Sequence, residues 1–185
     1  MNPGQHRCAP LVTQLVITFA VLIAGVAQAS EPTDVSNFIK GLELGCGLSE
    51  ELKAFRSELN ARYTFEAGSK RLQKGVNVPK PYAKAVGRVL AFDRGEYTEV
   101  VVPLNGIYRG LHTRSLIFDI GHSNGVNVIK LVFDAARSKV NSIIGRQVAE
   151  TQREFEADPQ EKDFGFSVQI TDAHRGSVLI CNLST

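Results

Sequence analysis

The stretch from Ala85 to Phe133 constrains the fold more than any other part of the chain. Apolar residues recur there at every second position, in runs near Ala85–Phe92, Tyr97–Leu104, Ile107–Ile120 and Val126–Phe133. Such alternation builds strands with one buried face. The separators are Asp93-Arg94-Gly95, Asn105-Gly106 and His122-Ser123-Asn124-Gly125. Asn-Gly tolerates positive φ at both residues, so the separators predict tight turns and an antiparallel β-meander of about four strands. Pro103 has no N–H to donate, which predicts an edge or a turn at that end of its strand. Gly110 predicts a bend in the long third strand.

The flanking segments have a helical period instead. Thr33-Asp34 ahead of Val35, Phe38, Ile39 and Leu42 predicts a short capped helix stopped at Gly45. Ser49 ahead of Leu52, Phe55, Leu59 and Tyr63 predicts a second, with Glu50 and Glu51 in the turn where the helix dipole favours acids. Beyond the meander, Asp134 is expected to cap a helix with Val140, Ile143 and Ile144 inward and Gly145 at its end. The acidic, Pro159-containing stretch from Glu150 to Asp163 reads as an exposed connection. Alternation at Phe164, Phe166, Val168 and Ile170, then Ser177–Leu183, predicts a C-terminal β-hairpin. The order of two N-terminal helices, meander, one helix and hairpin specifies an α+β class, with helices on one face of an antiparallel sheet.

Residues 1–29 stand apart. Arg7 is followed by the largely apolar run Leu11–Ala27 and the small-residue exit Ala27-Gln28-Ala29. This predicts a signal peptide, leaving residues 30–185 as a single α+β domain, periplasmic or secreted. An uncleaved anchor is the alternative. The remaining cysteines, Cys46 and Cys181, are then expected to form one disulfide. A nucleophilic Cys46 is the rival reading, but it needs a partner base and leaves Cys181 unexplained.

The net charge of +2 gives no general case for nucleic-acid binding. The sequence has no nucleophile elbow, zinc-protease helix, phosphate loop or dinucleotide fingerprint. No catalytic residue, metal ligand or cofactor is assigned. His112, His122 and His174 read as strand and turn residues; His122 and His174 could meet only if their turns share an end of the sheet. The densest set of recognition-type side chains is Tyr108, Arg109, His112 and Arg114, since Tyr and Arg are frequent interface anchors. A second candidate is the Gly- and Pro-rich basic loop with Lys70, Arg71 and Lys74. From Lys53 to Arg94 ten Lys and Arg face three acids, whereas Glu150–Asp163 carries six acids against two bases.

The function expected from these features is that of an exported, non-enzymatic binding protein with a protein partner in the cell envelope. Its concrete form is an inhibitor or immunity-type protein that occludes a hydrolase or toxin. The alternatives are a small periplasmic hydrolase or lyase using carboxylates with His112 as base, and an envelope module binding anionic glycan or lipid through the basic loop.

Overall fold

The computed structural model describes residues 31–63 and 76–185, and within them an α+β arrangement of three α-helices and one seven-stranded sheet. The expected signal peptide and the expected basic loop with Lys70, Arg71 and Lys74 lie outside the described residues. The elements are β1 (Thr33–Asp34), α1 (Glu50–Tyr63), β2 (Leu90–Asp93), β3 (Tyr97–Tyr108), β4 (Leu111–Gly121), β5 (Asn127–Phe133), α2 (Arg137–Ala157), α3 (Pro159–Phe164), β6 (Ser167–Asp172) and β7 (Ser177–Asn182). The strand order is β1-β3-β4-β5-β7-β6, and β2 pairs with β3 beside the half that β1 leaves open.

One face of the sheet is the core. Val100, Val102, Leu116, Phe118, Ile129, Leu131, Leu179 and Cys181 point into it, and cross-strand partners share that face. The inner residues of α1 (Leu52, Phe55, Leu59 and Tyr63) and of α2 (Val140, Ile144, Val148 and Phe155) join the same cluster. Cys46 and Cys181 are paired as a disulfide with Cα atoms 5.6 Å apart, tying β7 to the turns before α1.

The layout departs from the sequence expectation in several places, each with a local cause. The first expected helix does not form. Thr33 and Asp34 instead pair in parallel with Gly106 and Ile107, and Asp34 accepts the Ser36 N–H. Gly41, Gly45 and Cys46 have positive φ (106°, 63° and 52°), so residues 36–46 run as successive turns. Val35, Phe38, Ile39 and Leu42 still face inward, and Phe38 stacks on Tyr82 with ring centroids 4.7 Å apart. The helical spacing marked the buried side correctly and the backbone wrongly.

Asn105-Gly106 is not a turn. It lies inside β3, where the register to β4 shifts between Pro103 and Gly106. Gly106 is needed for a close approach, because a Cβ there would sit 2.8 Å from both Val35 methyls. Pro103 therefore lies within a strand, beside this irregularity, a position a proline tolerates. The chain reverses at Arg109-Gly110, where φ of 49° and 79° meet the demand of a two-residue hairpin. The expected strand from Ala85 shortens to Leu90–Asp93, with Val86 bridging Leu104 alone.

Helix α2 begins later and runs further than its expected span. Its N-cap, Ala136, supplies no side-chain bond, and Asp134 pairs with Arg114 instead of capping. Gly145 is interior, and the acidic stretch is helical because Val148, Thr151 and Phe155 prolong the buried face. Asp158 caps the short α3 through Gln160 and Glu161 N–H groups, and Gly165 ends it with φ of 73°.

Candidate functional site

The Tyr108–Arg114 segment separates into a buried part and an exposed part. Tyr108 ends β3 fully buried, and its hydroxyl donates to Glu43 Oε2. Arg109, in the left-handed first position of the hairpin turn, sends its guanidinium back to Glu43 Oε1. Its N–H donates to Ser36 Oγ at 2.9 Å, which pins the turn to the segment after β1. The guanidinium also lies 5.9 Å from the centre of the Tyr108 ring. Glu43, with no exposed surface, is thus held by one phenol and one guanidinium. Burial, then the bond to Glu43, raises the Tyr108 pKa well above the ordinary phenol value. Burial works against the charge on Arg109, but Glu43 and Tyr108 together outweigh it and raise the Arg109 pKa.

A second polar tie holds this segment. Thr151, buried on α2, donates through Oγ1 to the Glu43 carbonyl at 3.1 Å and accepts the Gly45 N–H at 3.0 Å. Glu43 and Thr151 escaped the sequence reading. Glu43 had a signal: it lies four residues after Ile39, on the side the helical spacing marked as inward. The network satisfies a buried charge and fixes the hairpin, so Tyr108 does not belong to any exposed docking surface.

The exposed part faces elsewhere. His112 sits on the outer side of β4 opposite Ile107, and its ring makes no hydrogen bond or ion pair among the described residues. The carboxylate contact required of a His112 base is not formed. Arg114 Nε lies 2.8 Å from Asp134 Oδ1, and its Nη2 donates to the Arg175 carbonyl. His122 Nε2 lies 3.0 Å from Thr98 Oγ1, just past the opposite end of β4. His174, in the β6–β7 turn, is at the Arg114 end, so the turns of His122 and His174 do not meet. Among the described residues no three His, Cys, Asp or Glu side chains are grouped to hold a metal ion.

The outer face of the sheet is open along two rows of paired residues. Pairing places Leu90, Val101, Ile117, Lys130 and Ile180 in one row across five strands, and Phe92, Glu99, Asp119 and Val128 in the next. Charge on this face is paired: Lys130 with Asp119, and Arg94 with Glu99 at 2.7 Å. Val101, Ile117, Val128 and Ile180 are half-buried, while Leu90 and Phe92 are 43% and 42% exposed. Two large apolar side chains this open, side by side on an edge strand, are what an interaction surface presents. The expected strand from Ala85 to Phe92 contains both residues, and the pairing of Leu90 with Val101 and of Phe92 with Glu99 sets them on its outer side.

No known protein family, curated protein or solved structure matches this chain. No helix among the described residues is long and apolar enough to cross a membrane.

Proposed function

We propose that this chain is an exported protein-binding module of the inhibitor or immunity type, which occludes an envelope hydrolase or toxin with the outer face of its sheet. The reading rests chiefly on Leu90 and Phe92, apolar and open on a face where Arg94 is paired with Glu99 and Lys130 with Asp119. Those four charges can be desolvated by a protein partner without leaving any of them buried and alone. His112 and Ile107 extend the face toward the β3–β4 turn, where Arg109 and Arg114 add partly exposed guanidinium groups. The Cys46–Cys181 bridge and the leader-like residues 1–29 support an oxidising compartment outside the cytoplasm.

The test is affinity capture from the envelope fraction with the intact, oxidised protein, beside a Phe92→Lys variant. The expected result is one stoichiometric protein that survives moderate salt, is lost with Phe92→Lys at unchanged melting temperature, and has its enzymatic or toxic activity suppressed in the complex. Retention of nothing, or only of glycan or lipid that salt removes, overturns the reading.

A further inference from the structure

We infer that the partner is engaged by strand addition: β2 takes up an extended peptide segment with apolar side chains at alternate positions and a carboxylate opposite Arg88. This rests on the binding-module reading and specifies how it is carried out.

The main chain of β2 is available for it. Among the described residues β2 pairs with β3 alone. The Arg94 N–H donates to the Tyr97 carbonyl at 2.9 Å, so residues 94 and 97 form a bonded pair at the hairpin. In an antiparallel ladder, bonded and non-bonded pairs alternate. Phe92 and Leu90 therefore direct their N–H and C=O groups to Glu99 and Val101, and those of Ala91 and Asp93 point outward. Edges of natural sheets are usually blunted by proline, by an inward-pointing charge or by a covering segment. Leu90, Ala91 and Phe92 have none of the first two, and nothing among the described residues bonds to their free side; the charge of β2 is at its turn end, on Asp93, whose Oδ1 accepts the Gly95 N–H at 2.8 Å. The other edge differs: on β6 the Val168 N–H is taken by Gln152 Oε1 of α2 at 2.8 Å.

The side chains define the ligand. Leu90 and Phe92 stand on one face two residues apart, so an added strand lays its own alternate side chains beside them. Arg94, at one end, is engaged by Glu99 and lies 5.5 Å from the centre of the Phe92 ring. Arg88, at the other, is exposed and has no hydrogen bond or ion pair among the described residues. An acidic residue in the incoming strand complements it. A second copy of this chain is a poorer occupant. The antiparallel register that sets Leu90 against Phe92 of that copy also sets Arg88 against its Arg94, like charge opposite like.

The experiment selects a display library of short random peptides on the intact oxidised protein and on Leu90→Lys, Phe92→Lys and Arg88→Glu variants, with melting temperatures measured in parallel. Expected are enriched peptides with apolar residues at alternate positions and an acid at one end. Their binding should weaken roughly tenfold or more with either Lys variant. Arg88→Glu should exchange the selected acid for Lys or Arg. Enrichment that ignores Leu90 and Phe92, or no enrichment over Leu90→Lys, overturns the inference. So does a dimer in sedimentation that Leu90→Lys dissolves. Envelope capture separates the two levels: a partner lost with Phe92→Lys but retained equally by wild type and Leu90→Lys removes strand addition and leaves the binding reading standing, whereas a wild type that retains no partner removes that reading too.

Discussion

Tyr108 and Glu43, 65 residues apart in the chain, meet in the core, where the phenol donates to a carboxylate that has no solvent contact. Arg109 completes the set from the turn that follows. A buried carboxylate is tolerated when its charge is countered and its oxygens are bonded, and becomes costly when either partner is removed. Glu43→Ala should therefore lower the unfolding free energy by about 3 kcal/mol or more. Glu43→Gln, which keeps an acceptor for Tyr108, should cost less. Chemical denaturation of the two variants checks the order.

The alkaline limb of stability should carry the signature of Tyr108. Its folded pKa is raised above the unfolded value of about 10, first by burial and then by Glu43. Its contribution is fully present below pH ~10 and is lost as pH rises toward the folded value, because the unfolded phenol ionises first. Denaturation midpoints should begin to fall above pH ~10, and Tyr108→Phe should flatten that fall.

Charge reversal separates the two arginines of the turn region. Arg109→Glu sets a carboxylate against buried Glu43 and should depress the melting temperature strongly. Arg114→Glu breaks a half-exposed pair with Asp134 and the bond to the Arg175 carbonyl, and should cost only about 1 kcal/mol. Thermal melts of both variants suffice. Equal losses would mean that the Glu43 network does not hold the hairpin.

Gly106→Ala should destabilise by about 1–3 kcal/mol, since the new methyl meets the Val35 side chain at 2.8 Å in a packed core. Trimming that neighbour should relieve it: in a double-mutant cycle with Val35→Ala the two losses should be less than additive. Additive losses would show that the glycine is there for its backbone and not for close packing.

The disulfide spans 135 residues. The chain-entropy model gives about 4–5 kcal/mol for closing a loop of that size. Denaturation of the Cys46→Ser, Cys181→Ser double variant should show a loss of that order, less any strain the bridge relieves on removal. A non-reducing mass measurement of wild type should find neither thiol free.

Legibility from sequence followed burial more closely than backbone path. Val35, Phe38, Ile39 and Leu42 have helical spacing and are all buried, yet glycines with positive φ fold that stretch into turns. The Asn-Gly signal failed at residues 105–106 for a tertiary reason, the pressing of Val35 against the strand. The true turn, Arg109-Gly110, hides its first residue, because an arginine with positive φ is held there by contacts with Ser36 and Glu43 that no local pattern announces. Thr151 concealed the continuation of α2 by being polar on a buried face, where its hydroxyl serves Glu43 and Gly45. The cysteine pair could be read because only two cysteines, Cys46 and Cys181, lie beyond residues 1–29. The orientation of Leu90 and Phe92 could not, since alternation alone does not say which side of an edge strand is covered.

The turns between β1 and α1 have a consequence for the order in which the molecule is assembled. Their fixed points are Ile107 for Val35, Tyr108 and Arg109 for Glu43, Thr151 for Gly45, and Cys181 for Cys46. Each of these partners is translated long after the residue it holds. A ribosome delivering this chain would release an opening segment whose ties arrive one after another, from Ile107, Tyr108 and Arg109, then from Thr151, and from Cys181 only when the last strand has been made. The part that is synthesised first among the described residues is the part whose covalent tie is supplied last, and a chain shortened before Cys181 would leave it without that bridge.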